Sequence, residues 1–198
     1  MDNRVYVIGR DSAPQYLRLE AGEALAMTLV FLPGTGGRYC LEVDLCGPGA
    51  SLDLAGLYLC PGDEQLDLRL LVRHSVGGCV SRQLFKGLVG GTARASFDGL
   101  VYVAQDAQKT QAFQENHSIL LSDAARVESR PQLEIYADDV QCSHGATTGY
   151  LNPDELFYLR SRGIPEAEAR QFQMVAFLAP VLRRLPEPLT EEIYGRLS

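Results

Sequence analysis

No apolar run in this sequence is long enough to cross a bilayer. The longest, residues 24–33, is half the roughly 20 residues that a spanning helix needs. Cationic charge is scarce as well: 18 basic residues face 25 acidic ones, a net charge of -7 over 198 residues. No extended positive field exists to condense on a phosphate backbone or an anionic membrane, which argues against nucleic acid and membrane as partners. Met1-Asp2-Asn3-Arg4 leads into ordinary polar sequence without an apolar leader, so a cytoplasmic location is expected. The five cysteines (Cys40, Cys46, Cys60, Cys79 and Cys142) are odd in number and contain no C-x-x-C pair, so reduced thiols are expected. The glycine-rich stretches Gly77-Gly78 and Gly87-Leu88-Val89-Gly90-Gly91 match neither a phosphate-cradling loop nor a dinucleotide fingerprint and read as turns. There is no G-x-S-x-G elbow. The adjacent Asp138 and Asp139 would point to opposite faces of a strand, a poor geometry for paired acid and base.

What the sequence has is ordinary globular content: 46% hydrophobic and 22% charged residues, enough to bury a core in a chain of one-domain length. From about residue 5 to 150 the apolar pattern has period two or comes in short runs broken by Gly, Pro and Asp. Leu41-Glu42-Val43-Asp44-Leu45 alternates, Gly47-Pro48-Gly49 turns, and Ser51 to Leu59 alternates again before Pro61-Gly62-Asp63. Further strands are expected near 83–89, 93–103, 117–121, 132–136 and 139–148. Many short strands without intervening helices point to a sandwich, a barrel or a β-solenoid. The strand starts are irregularly spaced, roughly 8 to 20 residues apart, so no fixed repeat chooses among the three.

The pattern changes at Asn152, an N-cap followed by Pro153 and, three residues on, Glu155. Gly163 closes that helix, and Pro165, Glu166 and Glu168 open a second, with Phe172, Val175, Ala176, Ala179 and Leu182 on one face. Pro180 inside it costs about 3 kcal/mol unless the helix kinks, so a kink is expected there. Pro186 and Pro188 are read as its stop, and Thr190 as the cap of a last short helix carrying Ile193, Tyr194 and Leu197. The chain divides into a β body, residues 1–150, and an α tail, residues 151–198.

Three histidines (His74, His117 and His144) confine any imidazole chemistry. Cys142-Ser143-His144 is the most suggestive cluster, because residues two apart in a strand share a face and could present a thiolate and an imidazole together. A half-buried cysteine beside a hydrogen-bonded histidine is the plainer account of the same spacing. His117 completes such a site only if its strand lies beside that of His144.

The segment Pro131-Gln132-Leu133-Glu134-Ile135-Tyr136-Ala137-Asp138-Asp139-Val140-Gln141-Cys142-Ser143-His144-Gly145-Ala146-Thr147-Thr148 closely resembles the signature of the SufB/SufD family of iron-sulfur cluster assembly proteins. The resemblance continues through Leu156-Phe157-Tyr158-Leu159-Arg160-Ser161-Arg162-Gly163-Ile164. Upstream it includes Phe97-Asp98-Gly99-Leu100-Val101-Tyr102-Val103-Ala104 and Gln108-Lys109-Thr110, and it can be followed from about residue 80 to 185. It implies a right-handed parallel β-helix followed by a small helical region. It also implies a non-catalytic scaffold that pairs with a SufB-like partner and docks a SufC-type ABC ATPase through its tail, in keeping with the missing P-loop. Asn116 and Ser143-His144-Gly145 stand where the SufB branch carries a cysteine and Glu-His-Glu, so the sequence looks SufD-like, and the interface histidine implicated in cluster building corresponds to His144. Cys142 accompanies it at the assembly interface. His144 is a candidate metal ligand. No tightly bound cofactor is implied, only an iron-sulfur cluster or iron held transiently in the complex. The tail residues singled out for ATPase docking are Leu156, Phe157, Tyr158, Leu159, Arg160 and Arg162, of which the first, second and fourth serve equally well as core. Typical members have a longer β-helix, and residues 1 to about 80 carry no family motif. A homodimer that associates through the same strands without the ATPase is therefore the alternative, and a β-helical carbohydrate enzyme or acyltransferase a distant third.

Overall fold

The computed structural model describes residues 3–197; Met1 and Asp2, at the start of the sequence reading, and Ser198, at its end, lie outside it. The strands run β1 (Asn3–Val7), β2 (Tyr16–Leu19), β3 (Ala24–Phe31), β4 (Gly37–Leu45), β5 (Ser51–Cys60), β6 (Gln65–His74), β7 (Val80–Val89), β8 (Arg94–Val103), β9 (Gln111–Leu120), β10 (Arg126–Ile135) and β11 (Gln141–Tyr150). The helices α1 (Pro153–Ser161), α2 (Glu166–Leu182) and α3 (Glu187–Arg196) follow.

Odd strands form one six-stranded sheet in the order β1-β3-β5-β7-β9-β11, and even strands a five-stranded sheet in the order β10-β8-β6-β4-β2. Every pairing is parallel. A chain that alternates between two parallel sheets and advances one strand per sheet in each circuit is a parallel β-helix, right-handed as parallel crossovers are. Asn3 pairs with Ala26, but Arg94 pairs with Arg126, so a coil takes between 23 and 32 residues. That variation is why no constant period is visible in the sequence.

The two sheets differ in what covers them. The even sheet alternates cleanly: in β6 the inward Leu66, Leu68, Leu70 and Val72 are buried while Gln65 and Arg69 are exposed. The odd sheet is apolar on both faces. In β5, Leu52, Leu54 and Tyr58 point into the β-helix, whereas Ala55, Leu57 and Leu59 point outward under the tail, against Leu178, Val181 and Ile193. At about 25 cal/mol per Å2 removed from water, this second interface anchors the tail on the β body.

Polar contacts extend that anchoring over the length of the β-helix. Asn3 donates to the Arg184 carbonyl at 2.8 Å, Arg184 reaches Asp53 at 2.9 Å, Arg10 makes a two-point pair with Glu192, and the Lys86 ammonium lies 4.3 Å from the Phe177 ring centre. The tail thus spans from the last coil back to the first.

Several local expectations need correction. Asp138 and Asp139 lie in the corner between β10 and β11, not in a strand. Helix α2 runs without a break through Pro180, which stands in its last turn and removes one i→i−4 amide donor there. Pro186 is the N-cap of α3 and Pro188 lies in its first turn, where proline is tolerated, so α3 begins before Thr190. Asn152 caps α1 as expected, its side chain accepting from the Asp154 and Glu155 amides, and Gly163 has the left-handed φ of 85° that ends the helical turn. All five cysteines are free. No helix among the described residues is long and apolar enough to cross a membrane.

Candidate assembly and docking site

The interior of the β-helix changes character along its axis. Beyond the exposed Arg4 of β1, an in-register column runs through Met27, Leu54, Gln83 and Gln114 and ends at His144. The neighbouring column reads Leu25, Leu52, Ser81, Ala112 and Cys142. Early coils therefore fill the interior with aliphatic side chains. Later ones place amides and hydroxyls there, and the last presents His144 and Cys142.

The polar groups are tied together. Gln114 Nε2 donates to Gln83 Oε1 at 2.7 Å, while Gln114 Oε1 and Gln83 Nε2 are buried with no partner in the protein. Gly99, on the facing sheet, makes room for Gln114: a Cβ there would meet Gln114 Oε1 at 2.5 Å. Tyr58 bonds Asn116 Oδ1 at 3.2 Å and Ser118 at 2.6 Å, and Asn116 Nδ2 donates across the interior to Ser129 at 2.9 Å. Burial pushes the Tyr58 phenol up to about 12. His74 is fully buried and bonds Ser81 at 2.8 Å through Nε2; burial lowers it to about 4, so it is a neutral imidazole.

Cys142 and His144 share the inward face of β11, as their spacing requires. Cys142 is half-buried, and its thiol is pushed up, mainly by burial, with a backbone bond from Ala112 opposing. His144 is exposed and forms no hydrogen bond with the described residues. Strands β9 and β11 are indeed neighbours, but His117 pairs in register with Thr147 and faces outward, bonded to Thr147 at 2.7 Å and Glu115 at 3.0 Å. It cannot join Cys142 and His144, because odd and even residues of a strand face opposite sides. Among the described residues no group of three or more His, Cys, Asp or Glu side chains is placed to hold a metal. His144 and Cys142 make up at most part of a ligand set.

Both sheets end in an unpaired edge at this end. On β11 the Gln141 amide donates to the Thr110 carbonyl, so the odd residues bond β9 and the even ones, from Cys142 to Tyr150, direct their amides to the free edge. On β10 the Arg126 and Tyr136 amides donate to β8, which leaves the odd set, including Pro131, facing out. Pro131 removes a donor from the middle of that edge, as edge prolines do, whereas β11 has none.

The tail begins immediately beyond β11. Gln173 of α2 accepts from the Asn152 amide at 3.0 Å and donates to its carbonyl at 2.9 Å, fixing the start of α1 against α2. Leu156 packs on the tail core and Leu159 lines a groove of about 430 Å3 with Ile119, Tyr150, Phe172 and Phe177. Phe157 is 73% exposed and Tyr158 55%. Arg160 pairs with Glu166 at 3.2 Å, and the Arg162 guanidinium lies 4.8 Å from the Tyr158 ring centre. Sequence reading missed Gln83, Gln114, Ser118 and Tyr150. For Gln83 and Gln114 the signal was a polar residue recurring at an inward position once per coil, which only the register makes visible.

A parallel β-helix whose interior becomes polar toward an open end, with a helical tail folded back along one sheet, defines the class of the fold: a β-helical protein with a C-terminal helical region. Comparison with known proteins agrees. Residues 13–177 match the family described as SUF system FeS cluster assembly, SufBD core domain, and the chain belongs to that family. It is 40% identical to the iron-sulfur cluster assembly protein SufD of Escherichia coli over 91% of this chain and 43% of the relative. It is 33% identical to the iron-sulfur cluster assembly SufBD family protein Rv1462 of Mycobacterium tuberculosis over 96% and 49%, and 37% identical to protein ABCI7, chloroplastic, of Arabidopsis thaliana over 86% and 36%. The chain spans less than half the length of each of these relatives. Within that family it is SufD-like.

Proposed function

We propose that this chain is a non-catalytic SufD-like scaffold that supplies one half of a cluster-building interface and one docking site for an ATPase. The observation that carries the reading is the placement of His144 and Cys142 on the inward face of the last coil, beside the unpaired, proline-free edge of β11. A strand edge of this kind is a template for pairing with another chain. A SufB-like partner added there meets His144 and Cys142 and completes the donor set that this chain lacks. Iron, sulfide or a nascent cluster is then cargo held between the two chains, and no tightly bound cofactor is required of this one.

Exposed Phe157 and Tyr158, with Arg160 and Arg162 beside them and the Leu159 groove behind, form an aromatic and arginine-rich surface of the kind enriched at interfaces. We assign it to a SufC-type ABC ATPase. The whole is placed in the cytoplasm. The test is coexpression with a SufC-type ATPase followed by affinity capture and sizing, with Arg160→Glu as the control. Stable capture that is lost in Arg160→Glu is expected. A folded chain that captures no ATPase overturns the docking assignment and leaves the self-associating homodimer, which the same β11 edge also fits, as the reading to take forward.

A further inference from the structure

The outer face of the even sheet carries no helix and is laced with charge. Where two charged residues stand in register on that face their signs are opposite: Arg18 with Asp44, Asp44 with Arg73, Arg38 with Asp67, Arg69 with Asp98, and Asp98 with Arg130. Among the described residues one such pair breaks the rule, Arg94 with Arg126. Like charges directly opposite one another in a sheet are destabilising. The chain is acidic overall, so this pair is not a by-product of a basic surface.

The two arginines line a concavity of about 700 Å3, together with Arg38, Gln65, Ser96 and the carboxylates Asp67 and Glu128. Both carboxylates are already engaged, Asp67 by Arg38 and Ser96, and Glu128 by Arg130 at 3.0 Å. The Arg94 side chain forms no hydrogen bond or ion pair with the described residues. Arg126 is held in place by two bonds from a single nitrogen, to the Asp123 and Ala125 carbonyls at 2.6 and 2.7 Å, which leaves the other side of its guanidinium fork free. One arginine is thus anchored and the other unengaged, and the two carboxylates of the concavity are paired with other arginines.

We propose that Arg94 and Arg126 form a binding site for a phosphate-class oxyanion on the helix-free face of the β-helix. A tetrahedral dianion can take a charge-assisted bond pair from each of two guanidinium forks approaching at different angles, and it removes the repulsion between them. Gln65 offers a neutral donor at the rim. Arg126 lies on β10, at the same end of the β-helix as His144, but the site is on the outer face of the even sheet whereas His144 is on the inner face of the odd sheet, and it does not depend on the proposal made for His144 or the α1 surface.

The experiment titrates the full chain with inorganic phosphate by isothermal calorimetry and by arginine side-chain NMR, against chloride at equal ionic strength. Saturable binding specific to phosphate is expected, weakened at least about tenfold in Arg94→Gln and in Arg126→Gln. Arg73→Gln, which removes an arginine of the same face whose ion-pair partner Glu42 lies outside the concavity, should leave it unchanged. Circular dichroism confirms the fold of each variant. No effect of phosphate beyond that of chloride overturns the proposal, as does equal loss in Arg73→Gln, which marks diffuse electrostatics. Equal affinity for succinate overturns the phosphate assignment.

Discussion

His144 stands in register with Gln114, the last buried member of an interior column, and is itself the solvent-exposed member that ends the column at β11. The pair marks where the β-helix changes from a closed core to an open end. Packing and hydrogen bonds act below this boundary, whereas above it a side chain is free to meet another molecule.

Substituting His144 should therefore separate function from folding. His144 is exposed and makes no hydrogen bond with the described residues, so His144→Ala should leave unfolding stability within about 0.5 kcal/mol. Cluster yield in the reconstituted assembly complex should fall. Urea titration and the cluster absorbance report the two effects, and an unchanged yield removes His144 from the mechanism.

The opposite holds for Gln114. Gln114→Leu strands the amide of Gln83 in a buried, apolar setting and should cost about 1–3 kcal/mol. Replacing both glutamines by leucine removes the stranded group and should recover much of that loss. A double-mutant cycle in urea measures the coupling, and additive losses would show that the 2.7 Å bond between them carries no energy.

His74 gives the fold a pH dependence of predictable sign. Its imidazole is depressed from 6.5 to about 4 by burial, so the unfolded chain binds a proton in the window between these values and the folded chain does not. Stability is accordingly unaffected by His74 above about pH 6.5 and declines as pH falls to about 4, by about 3 kcal/mol in all. The urea midpoint of the wild type should fall between pH 7 and 4.5 more steeply than that of His74→Asn. Parallel profiles would mean that His74 takes up its proton in the folded state at an ordinary pH.

The sequence by itself determined the local structure. Alternation in the strands, the Asn152-Pro153 start of α1 and the Gly163 stop are all written in nearest-neighbour chemistry, and they divide strands from helices at the place observed. The family signature, read as a motif, also singled out Cys142 and His144, and the parity of a strand put them on one face. Tertiary structure decided what each of those residues faces. The coil length varies from 23 to 32 residues, so neither the column from Met27 to His144 nor the stacking of Arg94 on Arg126 has a sequence period by which it could be found. It also decided that His117, on a neighbouring strand, points away from His144, and that the apolar outer face of the odd sheet is covered by α2 and α3. Register and burial are set by contacts between residues one or more coils apart, and the sum of those contacts, not any local pattern, fixes which side chains meet.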